Sequence, residues 1–423
     1  MALAAVEENA LEAHLSGLSD VLHGFSKSAR EAAVARVRST GLPVRRDEYW
    51  KYTRPDAFVS AEVAPTGRLN RDPSPFASLT PLTLVFTDGI FDAEASDDLA
   101  GENLTIDLLS ANTDIHWADG IYGALETAGQ TPVARPLAAL NTAIATQGAL
   151  IRATGIVTRP VQISYTANDA EAVLHHVIKV DAGASLTLLE TGTAGTRSNI
   201  VTEVEIGEDA AFDHIRLQGR DHERTLLSHI FVRMAAKSSL KSFTLSANGT
   251  MTRNECIIEI IGDEASAHVG GAAMGDGADF HQDDTIFITH DAVNCESRQV
   301  FKKVLRNGAT GVFQGKILVK AGAQKTDGYQ ISKALLLDDD AQFYAKPELE
   351  IYADDVACSH GSTTGAIDDE ALFYLRSRGI PSRQAQELLV LAFLAEALEE
   401  IAHVGAREVV QEQLELWLRN LEG

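Results

Sequence analysis

Apolar residues near the N-terminus follow the spacing of a helix. Leucines recur at intervals of three and four residues between positions 11 and 22, and good helix formers continue over Ala29–Val37. The Gly41-Leu42-Pro43 sequence then interrupts the pattern, because glycine and proline commonly follow the end of a helix. The pattern predicts helix from residue 1 to about residue 40.

The pattern is mixed from there to residue 148, where we place the end of an N-terminal helical and mixed region (1–148). The aromatic and charged cluster Asp47–Thr53 is predicted to anchor this region on the rest of the protein, with ligand binding as the alternative. A proline-containing linker covers residues 54–80. Two short strands (82–86 and 104–108) and a helical span interrupted by prolines (122–147) complete the region.

Short apolar runs separated by Gly, Asp and Asn replace the helical pattern after residue 148. Such runs predict strands. The predicted strands are Val173–Val180, Ser185–Glu190, Ile200–Ile206, Phe212–Leu217, Leu226–Met234, Leu240–Ser246 and Cys256–Ile261.

A weak internal repeat runs through these strands. A turn of small residues followed by an apolar position recurs around Ala184, Ala210, Ser238 and Ala265, in steps of 26 to 28 residues, and more loosely at Gly308-Ala309 and Asp340-Ala341. A fixed period of this size is typical of a solenoid. The sequence therefore predicts a mainly β fold with a parallel β-helix core (149–362), and a β-sandwich is the competing fold.

Helical periodicity returns in the last region, 363–423. Asp368 and Asp369 predict a helix start, and Gly379 predicts its end. Further helices follow, one with an apolar stripe over Leu388–Leu398 and one over Glu408–Leu421.

The charge of the chain excludes some function classes. Its 36 basic and 60 acidic residues give a net charge of −24, which argues against binding to nucleic acid or to an anionic membrane surface. The three cysteines are too few for a disulfide framework. The start of the chain is acidic, and no apolar run reaches the roughly 18–20 residues that would span a bilayer. We therefore expect a cytoplasmic protein.

Cys358 and His360 are the candidate metal ligands. Side chains two residues apart in a strand share one face, so this thiol and this imidazole could point at the same iron or zinc ion. Two ligands do not complete a site, and the alternative is a buried thiol beside a histidine that hydrogen-bonds the next turn. His281 and His290 are weaker candidates, because a separation of nine puts them on opposite faces of one strand.

Sequence motifs for independent catalysis are missing. The segment around Gly308–Lys316 lacks the glycine spacing and the Ser or Thr of a P-loop, and the glycines of 270–277 do not match a dinucleotide-binding loop. There is also no nucleophile elbow and no HExxH sequence. The chain is therefore expected to be a non-enzyme.

Five segments of the chain carry a specific resemblance to known proteins. They are Glu48–Thr53 (EYWKYT), Pro347–Ile351 (PELEI), Asp354–Gly361 (DDVACSHG), Gly365–Asp368 (GAID) and Leu372–Ile380 (LFYLRSRGI). These segments resemble the SufB/SufD family of iron–sulfur cluster assembly proteins. SufB-type members usually carry extra N-terminal cysteines, whereas the first cysteine here is Cys256, so the resemblance is to the SufD-type members.

The resemblance implies a right-handed parallel β-helix between helical regions, and a scaffold role in the SUF machinery. It implies pairing with SufB through the β-helix and binding of the SufC ATPase by the C-terminal helices, with a homodimer as a further state of the isolated chain. His360, with Cys358 in a less defined role, would contribute ligands to a transient iron–sulfur cluster shared with SufB.

Two alternatives stay open at this point. The first is a purely structural partner of SufB and SufC that supplies no metal ligand. The second is a β-helix enzyme acting on polysaccharide, which would need a cleft lined by carboxylates and aromatics. Aromatics are only 6% of the chain and do not recur at the coil period, which argues against the enzyme.

Overall fold

The protein is built around a parallel β-solenoid with helices at both ends. The structure, a computed structural model, describes residues 10–16, 18, 22–60, 74–111, 113–167, 171–219 and 224–420. Its strands form two sheets of ten and nine strands, which face each other across one apolar interior. The prediction of a mainly β protein with a parallel β-helix core and helical flanks is confirmed.

Successive strands alternate between the two sheets. The strands are β1 Leu82–Thr87, β2 Ile90–Phe91, β3 Leu104–Leu108, β4 Ala149–Ala153, β5 Val161–Thr166, β6 Glu171–Val180, β7 Ser185–Gly192, β8 Arg197–Ile206, β9 Ala211–Gln218, β10 Thr225–Met234, β11 Ser239–Ala247, β12 Met251–Ile260, β13 Ser266–Asp276, β14 His281–His290, β15 Glu296–Arg306, β16 Thr310–Val319, β17 Asp327–Leu336, β18 Gln342–Ile351 and β19 Ala357–Gly365. Sheet A has the order β19-β17-β15-β13-β11-β9-β7-β5-β1-β2, and sheet B has the order β18-β16-β14-β12-β10-β8-β6-β4-β3.

Each coil contributes one strand to each sheet, and β6 to β19 make about seven coils. The turn that precedes the sheet A strands has a recurring form, in which a residue with positive φ is followed by a small residue that points inward. Asp209, Lys237, Glu264, Asn294 and Lys325 have φ between 55° and 63° at this turn. Left-handed backbone is costly for most residues, so the turn is held by the coils stacked around it.

The predicted continuation of the repeat at Gly308-Ala309 and Asp340-Ala341 is wrong. Those turns precede β16 and β18 and so belong to sheet B, whereas the repeat marks the turns before sheet A strands. The true continuations are at Cys295 and Thr326, and the coil lengthens from 27 residues (Ser239 to Ser266) to 31 (Glu296 to Asp327). The longer coil hides the period in the sequence.

The N-terminal helices cover the outer face of sheet B. Leu125 and Ala138 pack with Phe231 and Ile257 of that face. The predicted single helix up to residue 40 is instead a helical stretch at 10–14 and a separate helix, and the part of that prediction over residues 1–9, 17 and 19–21 lies outside the described residues. The helices are α1 Lys27–Thr40, α2 Asp56–Val59, α3 Ala124–Ala128 and α4 Pro136–Ile144.

A buried ionic network joins this N-terminal region to sheet B. The Arg253 guanidinium lies 2.5 Å from the Asp283 carboxylate and donates to Glu255 at 2.8 Å and to the Tyr49 carbonyl at 2.9 Å. Arg135 donates to Glu255 at 2.9 Å. Burial opposes the charge on Glu255, but the neighbouring cations hold the pKa of that carboxyl well below its usual range. The network therefore stays charged and fixes the position of the N-terminal region on sheet B.

The C-terminal helices are α5 Asp369–Ser377, α6 Ser382–Leu398 and α7 Val404–Asn420. Leu394 of α6 and Leu414 of α7 are fully buried on the outer face of sheet A, and Glu396 of α6 pairs with Lys302. In contrast, α5 buries none of its side chains. In the described part of the chain, no helix is long and apolar enough to cross a membrane.

Replacing Arg253 with leucine tests the ionic network. Asp283 and Glu255 would lose a buried counter-charge, so we expect R253L to lower the free energy of unfolding by about 3–5 kcal/mol in urea denaturation. The matched control is R233L, also on sheet B, because Arg233 and Glu259 form a 3.7 Å pair in which each side chain is 32% exposed. Its expected cost is under about 1 kcal/mol. Equal costs in the two variants would contradict this account.

Candidate metal-binding edge at the end of the solenoid

The C-terminal end of the solenoid presents two strand edges that no described strand covers. β19 and β18 are the last strands of sheet A and sheet B, and they are nine and ten residues long. Because the last strand of a parallel sheet bonds to one neighbour only, a row of backbone N–H and C=O groups faces outward from each edge. Most side chains of β18 and β19 are also exposed or only partly buried.

Cys358 and His360 lie on β19, on the side that faces the solenoid interior. Cys358 is aligned with Gly328 of β17, and His360 is aligned with Gln330. The Cys358 side chain packs beside Ile317 and Val319 across the interior. The strand thus places both candidate ligands on one face of the last rung, which is the arrangement that their spacing predicts.

The two side chains differ in their readiness to bind a metal. Burial, with a smaller contribution from Asp327, raises the pKa of the Cys358 thiol, which disfavours the thiolate that metals bind. Gly328 makes room for the thiol, because a Cβ there would lie 3.2 Å from Sγ of Cys358. His360 is exposed, and none of the described residues gives its ring a hydrogen bond. His360 is therefore the more available donor.

The described residues hold no group of three or more His, Cys, Asp or Glu side chains that could bind a metal ion. Cys358 and His360 are thus two donors without a third in this part of the chain. A tetrahedral metal or a cluster needs about four protein ligands. These two residues alone therefore leave a metal at this edge short of its usual number of ligands.

The other cysteines and histidines lie away from this edge. Cys256 and Cys295 face the interior, and burial raises the pKa of Cys256 to about 12. His281 Nε2 lies 2.9 Å from Thr53 Oγ1, and His290 Nε2 lies 2.8 Å from Ser297 Oγ. β14 is one continuous strand, so its two histidines do point to opposite faces, as their spacing predicts.

The aromatic segment Asp47–Thr53 lies against the outer face of β18. The hydroxyl of Tyr49 donates to Glu348 at 2.6 Å, and Lys346 sits 3.9 Å from the centre of the Tyr49 ring. Tyr52 stacks on Tyr344 with ring centres 5.2 Å apart. The prediction of an aromatic anchor is confirmed, and the anchor supports the last strand of sheet B from behind while leaving its edge open.

The sequence did not predict two inward-facing residues on β17, the strand next to β19. Ser332 of β17 shares a 3.1 Å hydrogen bond with Ser362, and Gln330 lies directly beneath His360. Their separation of 30 residues from their β19 partners is the coil length. Because the sequence repeat fades after Ala265, that separation carried no visible signal.

Comparison with known proteins identifies relatives over most of the chain. A family described as "SUF system FeS cluster assembly, SufBD core domain" matches residues 163–393. The chain is 29% identical to the iron–sulfur cluster assembly protein SufD of Escherichia coli over 88% of each chain. It is 26% identical to an iron–sulfur cluster assembly SufBD family protein of Synechocystis over 94% of this chain and 91% of the relative, and 28% identical to SufD of Bacillus subtilis over 64% of each.

Proposed function

The chain belongs to the SufBD family of iron–sulfur cluster assembly proteins, and from this premise we propose that it is a non-catalytic scaffold subunit of the SUF machinery. The observation that carries the proposal is the pair of donors on an open strand edge, Cys358 and His360. A scaffold that must receive and release a cluster needs ligands that a second molecule can reach. We expect this work to take place in the cytoplasm.

His360 is proposed as the principal ligand for iron of the nascent cluster, with Cys358 in support. The cluster is the cargo of the reaction and is shared with a partner, because one Cys and one His fall short of the usual ligand number. The imidazole is exposed and suited to borderline metals such as iron. The thiol of Cys358 is half-buried, and its raised pKa makes it the weaker donor.

SufB is the proposed partner at the open end. A family member with the same solenoid would bring strand edges of its own, and two such edges can satisfy each other's backbone groups by strand addition. Exposed edges of nine and ten residues are long enough to promote unwanted pairing if they stay uncovered. A homodimer through the same edges is the corresponding state of the isolated chain.

The SufC ATPase is proposed to dock on the C-terminal region (363–423). No side chain of helix α5 is fully buried, and Phe373 and Tyr374 on it are 72% and 57% exposed. Exposed aromatics of this size are typical of interaction sites. α6 and α7 pack on sheet A, so that a movement of the bound ATPase would be transmitted through them to the solenoid (149–362). The region 1–148 is proposed to anchor and support that solenoid.

Replacing His360 with alanine tests the ligand role. We expect the H360A chain, co-expressed anaerobically with SufB and SufC, to form the complex but to lose most of its iron and sulfide on analysis of the purified assembly. The matched control is S359A, because Ser359 is the neighbouring exposed residue and points to the other face of β19. A normal iron and sulfide content in H360A would refute the ligand role and favour a purely structural partner.

Replacing Phe373 with aspartate tests the ATPase dock. A charge on the exposed face of α5 should weaken co-purification of SufC by at least about tenfold while SufB stays bound, since a buried interface charge without a partner is costly. The matched control is I115D, because Ile115 is 92% exposed and lies in the N-terminal region. Unchanged SufC recovery with F373D, or an equal loss with I115D, would count against this dock.

A further inference from the structure

A ladder of buried side chains leads inward from His360. Gln299 of β15 is aligned with Gln330 of β17, and Gln330 is aligned with His360 of β19. Aligned residues of neighbouring parallel strands share a face and lie about 4.8 Å apart. Both glutamines are fully buried. The two side chains beneath the candidate ligand are therefore amides, although the neighbouring inward positions of β15 and β17 are Phe301, Ser297 and Ser332.

The amide of Gln330 is held in place but is not satisfied. Its nitrogen is 3.5 Å from the carbonyl of Gly315 across the interior. A Cβ at Gly315 would lie 2.6 Å from the Gln330 amide, so the amide packs directly against the Gly315 backbone and a larger residue there would displace it. The carbonyl oxygen Oε1 of Gln330, and both amide atoms of Gln299, have no hydrogen-bond partner among the described residues.

Buried polar atoms without a hydrogen-bond partner lower the stability of the fold. A buried polar atom without a partner costs about 1–3 kcal/mol, and an apolar side chain of similar shape would avoid that cost. A histidine that binds a metal through one ring nitrogen almost always donates its other N–H to an oxygen acceptor. No described residue accepts a hydrogen bond from the His360 ring. On the adjacent strand, Oε1 of Gln330 is an acceptor without a donor among the described residues.

We propose that Gln330 is a positioning residue for His360. Its Oε1 accepts the second ring N–H of His360 when the first nitrogen binds iron, and so selects one tautomer and one ring orientation. Of the inward residues that flank Gln330 on β17, Gly328 has no side chain, and Ser332 is aligned with Ser362 and donates to it rather than lying opposite His360. This inference rests on the ligand role proposed for His360.

The test compares leucine and glutamate at position 330 in the assembled complex. The readouts are the rate at which a chelator removes iron from the purified complex and the thermal unfolding temperature of each variant. We expect Q330L to release iron about 10- to 100-fold faster, the usual effect of losing an outer-shell partner. Q330E should restore slow release, because a carboxylate is also an acceptor. A merely structural role predicts the opposite order, since leucine packs well and a buried carboxylate does not.

Q299L is the matched control, because Gln299 is the same buried residue type one strand further from His360. It should leave the iron release rate unchanged. Equal release from Q330L and the parent, or rapid release from both Q330L and Q330E, overturns the positioning role. If Q330E does not fold, the comparison of Q330L with Q299L decides. Retention of iron by H360A would instead refute the ligand role itself, so the two failures are distinguishable.

Discussion

The structure depends on the pairing rule of parallel strands, in which each strand satisfies part of its backbone groups with the coil before and part with the coil after. A stack of coils obeying this rule must end somewhere. At the N-terminal end, the two-residue β2 and the antiparallel β3 close the sheets with little exposed edge. At the C-terminal end, β18 and β19 leave long edges uncovered by any described strand. That asymmetry leaves one end of the solenoid available for a partner.

The remaining parts of the protein cover the outer faces of the solenoid and leave this end open. The N-terminal helices occupy the outer face of sheet B, and α6 and α7 occupy the outer face of sheet A. The aromatic segment Asp47–Thr53 supports β18 without capping it. Cys256 and Cys295 are buried in the interior, so the half-buried Cys358 is the most accessible of the three cysteines. The candidate ligands and an open backbone edge therefore lie on the same strand, β19.

Periodicity in the sequence accounts for what could be predicted. The spacing of two placed Cys358 and His360 on one face, and the repeat around Ala184 to Ala265 predicted the solenoid. Contacts between coils could not be predicted, because they depend on the length of each turn. Arg253 meets Asp283, and Gln330 lies beneath His360, only after coils of 30 residues are stacked in register. The non-helical residues 22–26 before α1 could not be predicted either, because helix formers occupy both sides of them.

Backbone hydrogen exchange tests the central claim, that the uncovered edges of β18 and β19 are the partner interface. The chain would be compared alone, at a concentration where it is monomeric, and in complex with SufB. We expect amides of β19 and β18 to exchange at least about tenfold more slowly in the complex, because strand addition gives their outward N–H groups partners. Amides of β2 and β3 at the other end should not change. Unchanged exchange at β18 and β19, with protection elsewhere on the solenoid, would contradict the account.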